Sequence, residues 1–167
     1  PNAGHPTLGS AHAWLEAGGV PRREGVVVQE CGAGLVTLRA GERLAFAAPP
    51  MIRSGEVSPD DLASICAALR IEAGDIVASS WVDNGPGWVG LLLADAHAVL
   101  ALEPDWARFG SWDIGVVGAY PEDDAARVGA AVEVRAFCPG LGVVEDPVTG
   151  SLNASLGQWL TGNGTFP

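Results

Sequence analysis

Residues 143–160 read VVEDPVTGSLNASLGQWL, and this stretch decides the fold. Glu145 and Asp146 stand side by side, Pro147 stiffens the chain, and Thr149-Gly150-Ser151 leads into a run with no charged side chain as far as Pro167. A helix that is apolar or small on every side is normally buried on every side. The same pattern occurs near the other end of the chain. PTLGSAHAWLEAGG opens with Pro6 and closes with Gly18-Gly19, and carries no carboxylate or Arg between Thr7 and Leu15. Proline near the start and glycine past the end are the usual helix asymmetry. A shift of 145 residues matches Ser10 with Ser155, Trp14 with Trp159 and Leu15 with Leu160, whereas a shift of 146 matches Gly4 with Gly150.

Between these helices lie β-rich runs. VVVQEC (26–31), LVTLR (35–39) and RLAFAA (43–48), separated by Gly-containing turns, predict a meander. After Pro49-Pro50, Ser58-Pro59-Asp60-Asp61 with Leu62, Ile65, Ala68 and Leu69 predicts a capped amphipathic helix with acid at its positive end. Strands then resume at 76–82, 88–94, 113–120 and 132–137, with a short helix near 95–102. The expected class is α+β: two similar lobes, each a strand-rich roll around a central buried helix, truncated at both ends. Pro49-Pro50 marks the expected junction, with 1–52 the C-terminal part of a first lobe and 53–167 the N-terminal part of a second. Pro1 in place of Met, and an end at Phe166-Pro167 just after a turn-like Thr-Gly-Asn-Gly, read as cut ends.

Composition narrows the chemistry. The 167 residues hold 9 Lys+Arg and 20 Asp+Glu, a net charge of −11, and every basic residue is Arg. Without Lys this stretch offers no Schiff-base lysine, no pyridoxal-phosphate lysine and no P-loop lysine. The acidity argues against nucleic acid and anionic membrane surfaces, since no basic patch exists to displace counterions. No stretch reads as a membrane span or signal peptide. With 48% hydrophobic and 17% charged residues a core is expected, not disorder. Cys31, Cys66 and Cys138 are odd in number and show no C-x-x-C spacing, which fits neither a disulfide framework nor zinc and suits a reducing cytoplasm. Three scattered histidines give a metal site little support.

The chemistry-bearing candidates cluster at the two helix starts. Free N–H groups at a helix start, with the Ser151 hydroxyl, suit a carboxylate or oxyanion, and Asp146 beside them can position a polar group or accept a proton. The plainer reading is a turn with an N-cap, Asp146 satisfying backbone N–H groups. Gly4-His5-Pro6 has the same shape: His5 is either a donor or base, or a structural His closing the turn. His12 is expected in the core and His97 on the surface. Val82-Asp83-Asn84-Gly85-Pro86-Gly87-Trp88 reads as a hairpin loop, with a place beside the cleft as the weaker alternative. Trp106 and Trp112 flank a connection, and Cys31-Gly32-Ala33-Gly34 lacks the βαβ setting of a dinucleotide site.

Taken together, AGHPTLGSAH, QECGAGLV, LAFAAPP, NGPGW and RAFCPGLGVVEDPVTGSLNASLGQWL resemble the phenazine-biosynthesis PhzF-like isomerases, which share the diaminopimelate-epimerase fold. The resemblance runs in order from Ala3 to about Leu160. It implies a cofactor-free isomerase of the cytoplasm, often a homodimer, moving a proton between carbons of a small carboxylate-bearing substrate. By position, His5 and Asp146 resemble the family's catalytic His and Asp. Ser151, with Gly150, Thr149 and Gly4, resembles its substrate-holding residues. The Glu that shuttles the proton lies upstream of Gly-His-Pro in the family pattern and so outside this chain, which implies that the segment alone is inactive. The positions of the paired thiols of related epimerases hold Ala3-Gly4 and Thr149-Gly150 here, so a two-thiol epimerase is not expected. Cys138 precedes the Asp motif but reads as a small buried hydrophobe. A non-catalytic binding protein that keeps the cleft is the alternative.

Overall fold

The computed structural model describes residues 4–32, 34–162 and 164. The chain starts with helix α1 (Gly4–Glu16) and the meander β1 (Val26–Cys31), β2 (Gly34–Ala40) and β3 (Leu44–Phe46), which form a three-stranded antiparallel sheet. The second sheet has six strands in sequence order: β4 (Arg53–Gly55), β5 (Ile76–Asp83), β6 (Trp88–Leu93), β7 (Asp113–Ala119), β8 (Val132–Cys138) and β9 (Val143–Glu145). Only the β6–β7 pair is parallel, and α3 (Ala96–Leu100) lies in the connection between them. Helix α2 (Pro59–Leu69) follows β4, α4 (Glu122–Val128) joins β7 to β8, and α5 (Gly150–Gly162) closes the chain.

Local chemistry explains the starts and stops. Ser58 caps α2 by accepting from the Asp61 N–H at 3.1 Å, with Pro59 in the first turn, and Arg70 ends the helix in the left-handed region at φ 57°. Helix α4 was not anticipated from the sequence, although it carries its own signals: Glu122, Asp123 and Asp124 in the first turn and Gly129 at φ 76° after its end. The three-residue strands β4 and β9 exist only through pairing with longer neighbours.

The six-stranded sheet is covered on both faces. Alternation along a strand sends Val89, Leu91, Ile114 and Val116 to one side, where they pack with Ile65, Leu69, Val99 and Phe109. Trp88, Leu92, Val117 and Cys138 go to the other side, against Leu152, Leu156 and Leu160 of α5. Glycines on that face bring the helix close: a Cβ on Gly115 would sit 2.2 Å from Leu152, and one on Gly90 would sit 3.1 Å from the Trp159 ring. Trp106 and Trp112 belong to the packed connection, with tilted or edge-on ring contacts to Phe109 and Phe137 and to Trp81 respectively.

Two expectations are corrected here. Neither uncharged helix is buried on every side. α1 buries Gly4, Thr7 and Ala11 but leaves Trp14 43% exposed, and α5 leaves Asn153 and Gly157 in solvent. The three-stranded sheet covers one face of α1 through Ala11, Val27 and Leu38, and a groove of about 930 Å³ along that contact is lined by Ala11, Trp14, Val27 and Val28 with Arg22 and Arg23. For the same reason His12 is exposed, not part of the core. His97 is exposed as expected, 3.3 Å from the Asp124 carboxylate.

The two helices meet end to end. A Cβ on Gly4 would lie 2.9 Å from the Gly150 Cα and 3.3 Å from the Phe46 ring; one on Gly150 would lie 2.8 Å from the Gly4 Cα and 3.0 Å from the His5 nitrogen. Substituting Ala for Gly4 or Gly150 therefore has to push two backbones apart, and should cost about 1–3 kcal/mol in urea denaturation. Gly157→Ala, at an exposed position of α5 with open space around it, should be neutral or stabilise by about 0.5–1 kcal/mol.

Candidate active site at the opposed helix starts

The contact between Gly4 and Gly150 places the N-terminal ends of α1 and α5 against one another. Neither helix has an acidic residue in its first turn. Each start carries about half a positive charge from unsatisfied N–H groups, so the junction is an electropositive spot in an otherwise acidic molecule. An anion bound there would relieve repulsion between the two dipoles.

Glu145 and Asp146, neighbours in sequence, have different tasks. Arg135 holds Glu145 through two hydrogen bonds of 2.8 and 2.9 Å, and also donates to the carbonyls of Leu102 at 2.8 Å and Val99 at 3.3 Å. The guanidinium bond keeps the Glu145 carboxyl below its ordinary range despite opposing desolvation. This staple ties β9 to β8, and the Asp146 N–H continues the tie by donating to the Ala136 carbonyl at 2.9 Å. Asp146 is thus delivered to the entrance of α5, half-buried, with one carboxylate oxygen accepting from the Val148 N–H at 3.0 Å. The turn expected of Asp146 is present, and its other oxygen makes no hydrogen bond among the described residues. Thr149 is buried, its hydroxyl donating to the Asp146 carbonyl at 3.4 Å.

Ser151 is held from the sheet. The Trp88 indole N–H donates to its hydroxyl at 3.0 Å, and the Asn84 side-chain amide donates to its carbonyl at 2.9 Å. Asn84 comes from the β5–β6 loop, where Asp83 accepts from the N–H groups of Gly85 and Gly87 at 2.6 and 2.8 Å. The loop is the anticipated hairpin and also reaches the site. His5, the second residue of the described α1, brings its backbone nitrogen to Gly150 while its side chain is exposed. Gly4, His5, Gly150, Ser151, Thr149 and Asp146 therefore lie at one junction; Ala3 is outside the described residues.

Sequence reasoning gave Trp88 and Asn84 only the weaker alternative of a loop beside the cleft, and missed Asp113. Asp113 is the register partner of Trp88 at the start of β7 and shares its face of the sheet. It is only 8% exposed, and its Oδ1 has no hydrogen-bond partner. Burial, reinforced by Asp83, pushes its carboxyl up from the ordinary value. Burial and then the charges of Asp113 and Asp146 push the Cys138 thiol up as well, so it is no ready thiolate. Among the described residues no group of three or more His, Cys, Asp or Glu could hold a metal ion, and no described helix is long and apolar enough to cross a membrane.

Two sheets, with two helices meeting start to start beside an aspartate, define an α+β protein. The chain belongs to the PhzC-PhzF family, described as phenazine biosynthesis-like protein, whose profile matches residues 1–167. It is 28% identical to antisense-enhancing sequence 1 of Schizosaccharomyces pombe, over 95% of this chain and 56% of that protein. It is 34% identical to "Uncharacterized isomerase YddE" of Salmonella typhimurium, over 70% of this chain and 38% of that protein. The chain thus spans roughly half, or less, of these relatives. Crystal structures of PhzF-family proteins from Bacillus anthracis and Enterococcus faecalis share the fold. Their TM-scores are 0.73 and 0.70 and their identities 16% and 21%, over 96% and 98% of this chain and 57% and 58% of theirs.

Two of the perturbed carboxyls, Glu145 and Asp113, predict opposite pH responses. Glu145, lowered in the fold, contributes stability that is present above its unfolded value and lost as pH falls through the folded one. Asp113, raised in the fold, contributes stability that is fully present below its unfolded value and is lost as pH rises through the folded one. Asp113→Asn, which mimics the neutral form, should raise the unfolding midpoint near neutral pH and lose that advantage below about pH 3.5. Thermal melts across the acid range check both.

Proposed function

We propose that the intact protein is a cofactor-independent isomerase that moves a proton between carbons of a small carboxylate-bearing substrate by carboxylate acid/base catalysis. The observation that supports this most is the Gly4–Gly150 contact beside Asp146: two electropositive helix starts with no acid in their first turns, next to one half-buried carboxylate. The substrate carboxylate, or the enolate that develops as a carbon loses its proton, sits at the two helix starts with Ser151, Gly4, Gly150 and Thr149 around it. Asp146 and His5 hydrogen-bond the substrate and set its protonation state. The proton itself is carried by a Glu outside this chain, as the family resemblance implies. The isomerase names of relatives in Salmonella typhimurium and Deinococcus radiodurans agree with this reaction type. A cytoplasmic location is consistent with three free cysteines, and the homodimer follows from the family resemblance.

The groove beside α1 is a poorer active site. Its lining is apolar apart from two arginines and a few uncharged polar side chains, with no acid, base or thiol. A second reading, a binding protein that keeps the cleft without catalysis, is favoured by the one oxygen of Asp146 already committed to its turn.

Solvent exchange separates the two. The full-length protein, incubated in deuterated water with small unsaturated and hydroxylated carboxylic acids, should place deuterium on a carbon of its substrate. Asp146→Asn should slow that exchange by about 10²–10⁴-fold. A loss under about twofold removes Asp146 from catalysis. Binding that survives the substitution, with no exchange into any bound acid, leaves the binding protein.

A further inference from the structure

The loop that holds the start of α5 contains Asn84-Gly85, the pair of residues in which an asparagine side chain is chemically most labile. Glycine has no Cβ to keep its own nitrogen away from the side-chain carbon that precedes it. In the reaction the Gly85 nitrogen loses its proton and attacks the Asn84 Cγ. The Cγ–Nδ2 bond breaks, and Nδ2 takes a proton from solvent and leaves as ammonia. The cyclic imide then adds one water and opens to aspartate, or through its other carbonyl to isoaspartate. Water enters, ammonia leaves, and nothing is oxidised or reduced. The fold opposes each step. The Gly85 N–H donates to Asp83 Oδ1 at 2.6 Å, and the Gly87 N–H donates to the same oxygen at 2.8 Å. A carboxylate that accepts from an N–H favours the protonated nitrogen, so the nucleophile is held inactive. Asp83 is itself fixed at the end of β5, its carbonyl accepting from the Ile52 N–H at 2.7 Å. The departing Nδ2 is tied to the Ser151 carbonyl at 2.9 Å. Asn84 is 6% exposed, and its Oδ1, where negative charge gathers during the attack, is buried without a hydrogen-bond partner among the described residues. An oxyanion there has no donor to stabilise it.

We propose that Asn84 is a deamidation site held shut by the fold: it reacts only when the Asp83–Gly85 and Asn84–Ser151 contacts open, and the reaction then unfastens the start of α5. Nδ2 is the one donor on the asparagine side chain. Aspartate or isoaspartate at this position cannot hold the Ser151 carbonyl and sets a carboxylate oxygen against it. Isoaspartate also routes the chain through its side chain and so lengthens the β5–β6 loop. The Trp88 indole, which donates to the Ser151 hydroxyl at 3.0 Å, loses its alignment when that turn shifts. The contacts that seat Ser151 are therefore the same ones that keep Asn84 intact.

The test follows the Asn84 peptide by mass spectrometry while the full-length protein is incubated in mildly alkaline buffer, folded and in guanidinium chloride. Conversion to the acid, resolved as two isomers, should run at least about tenfold slower in the folded protein, because only the locally opened fraction reacts. Asp83→Ala, its fold checked by circular dichroism, should convert severalfold faster than wild type when folded and near the wild-type rate in denaturant. Amide hydrogen exchange removes the same Gly85 proton and needs no variant: Gly85 should exchange at least about tenfold slower than in the unfolded chain. In converted protein the Trp88 indole NMR signal should shift. Conversion as fast folded as in denaturant, or an unprotected Gly85, overturns the inference. A folded Asp83→Ala protein no faster than wild type overturns the lock, and an unmoved Trp88 signal after conversion overturns the link to α5.

Discussion

Two helix starts in backbone contact constrain everything else in this molecule. Helices α1 and α5 meet where Gly4 and Gly150 come too close for any side chain on either. Aligned peptide dipoles make that meeting electrostatically unfavourable, and no acid in either first turn offsets it. The contact persists because each helix is held from behind. Phe46 of β3 closes on Gly4, while Leu152, Leu156 and Leu160 seat α5 on the larger sheet. Packing far from the junction keeps two like poles together in a chain of net charge −11.

The larger sheet supports the junction through a change of character along one face. Along α5 that face is apolar or small, with Gly90 and Gly115 letting the helix lie close. Beneath the start of α5 it becomes Trp88, Asp113 and Cys138, one from each of three adjacent strands. Apolar burial thus fixes the helix position, and the polar end supplies a donor to Ser151 and a carboxyl kept from full solvation. The Arg135–Glu145 staple completes the arrangement from the edge, because the segment it anchors carries Asp146.

Much of the scaffold was legible. Runs of β-forming residues located all strands but β4 and β9, and Ser58-Pro59-Asp60-Asp61 located α2, because those signals act within a few residues. The extent of helix burial was not legible. Absence of charge shows that a helix can be buried; which faces are covered depends on the strands present, and here one sheet covers one face of each. The internal repeat is instructive in the same way. Three identities favoured a shift of 145 residues, yet the backbone contact between the two helices pairs Gly4 with Gly150, a shift of 146. Trp and Leu identities record similar packing needs, whereas glycine at a backbone contact records a steric requirement.

The sequence by itself determined the element types, the two uncharged helices, the exclusion of lysine chemistry, and the pairing of Asp146 with Ser151 across one short turn. Each follows from residue type or short-range spacing. Only the tertiary structure decided that Gly4 and Gly150 touch, that Glu145 serves a staple while its neighbour Asp146 is left to the site, and that Trp88, Asn84 and Asp113 belong with them. Those residues lie 38–67 positions from Ser151 in the chain, Asn84 farthest. Their proximity is set by strand register and by the seating of α5 on the sheet, and no local pattern encodes a distance closed by packing.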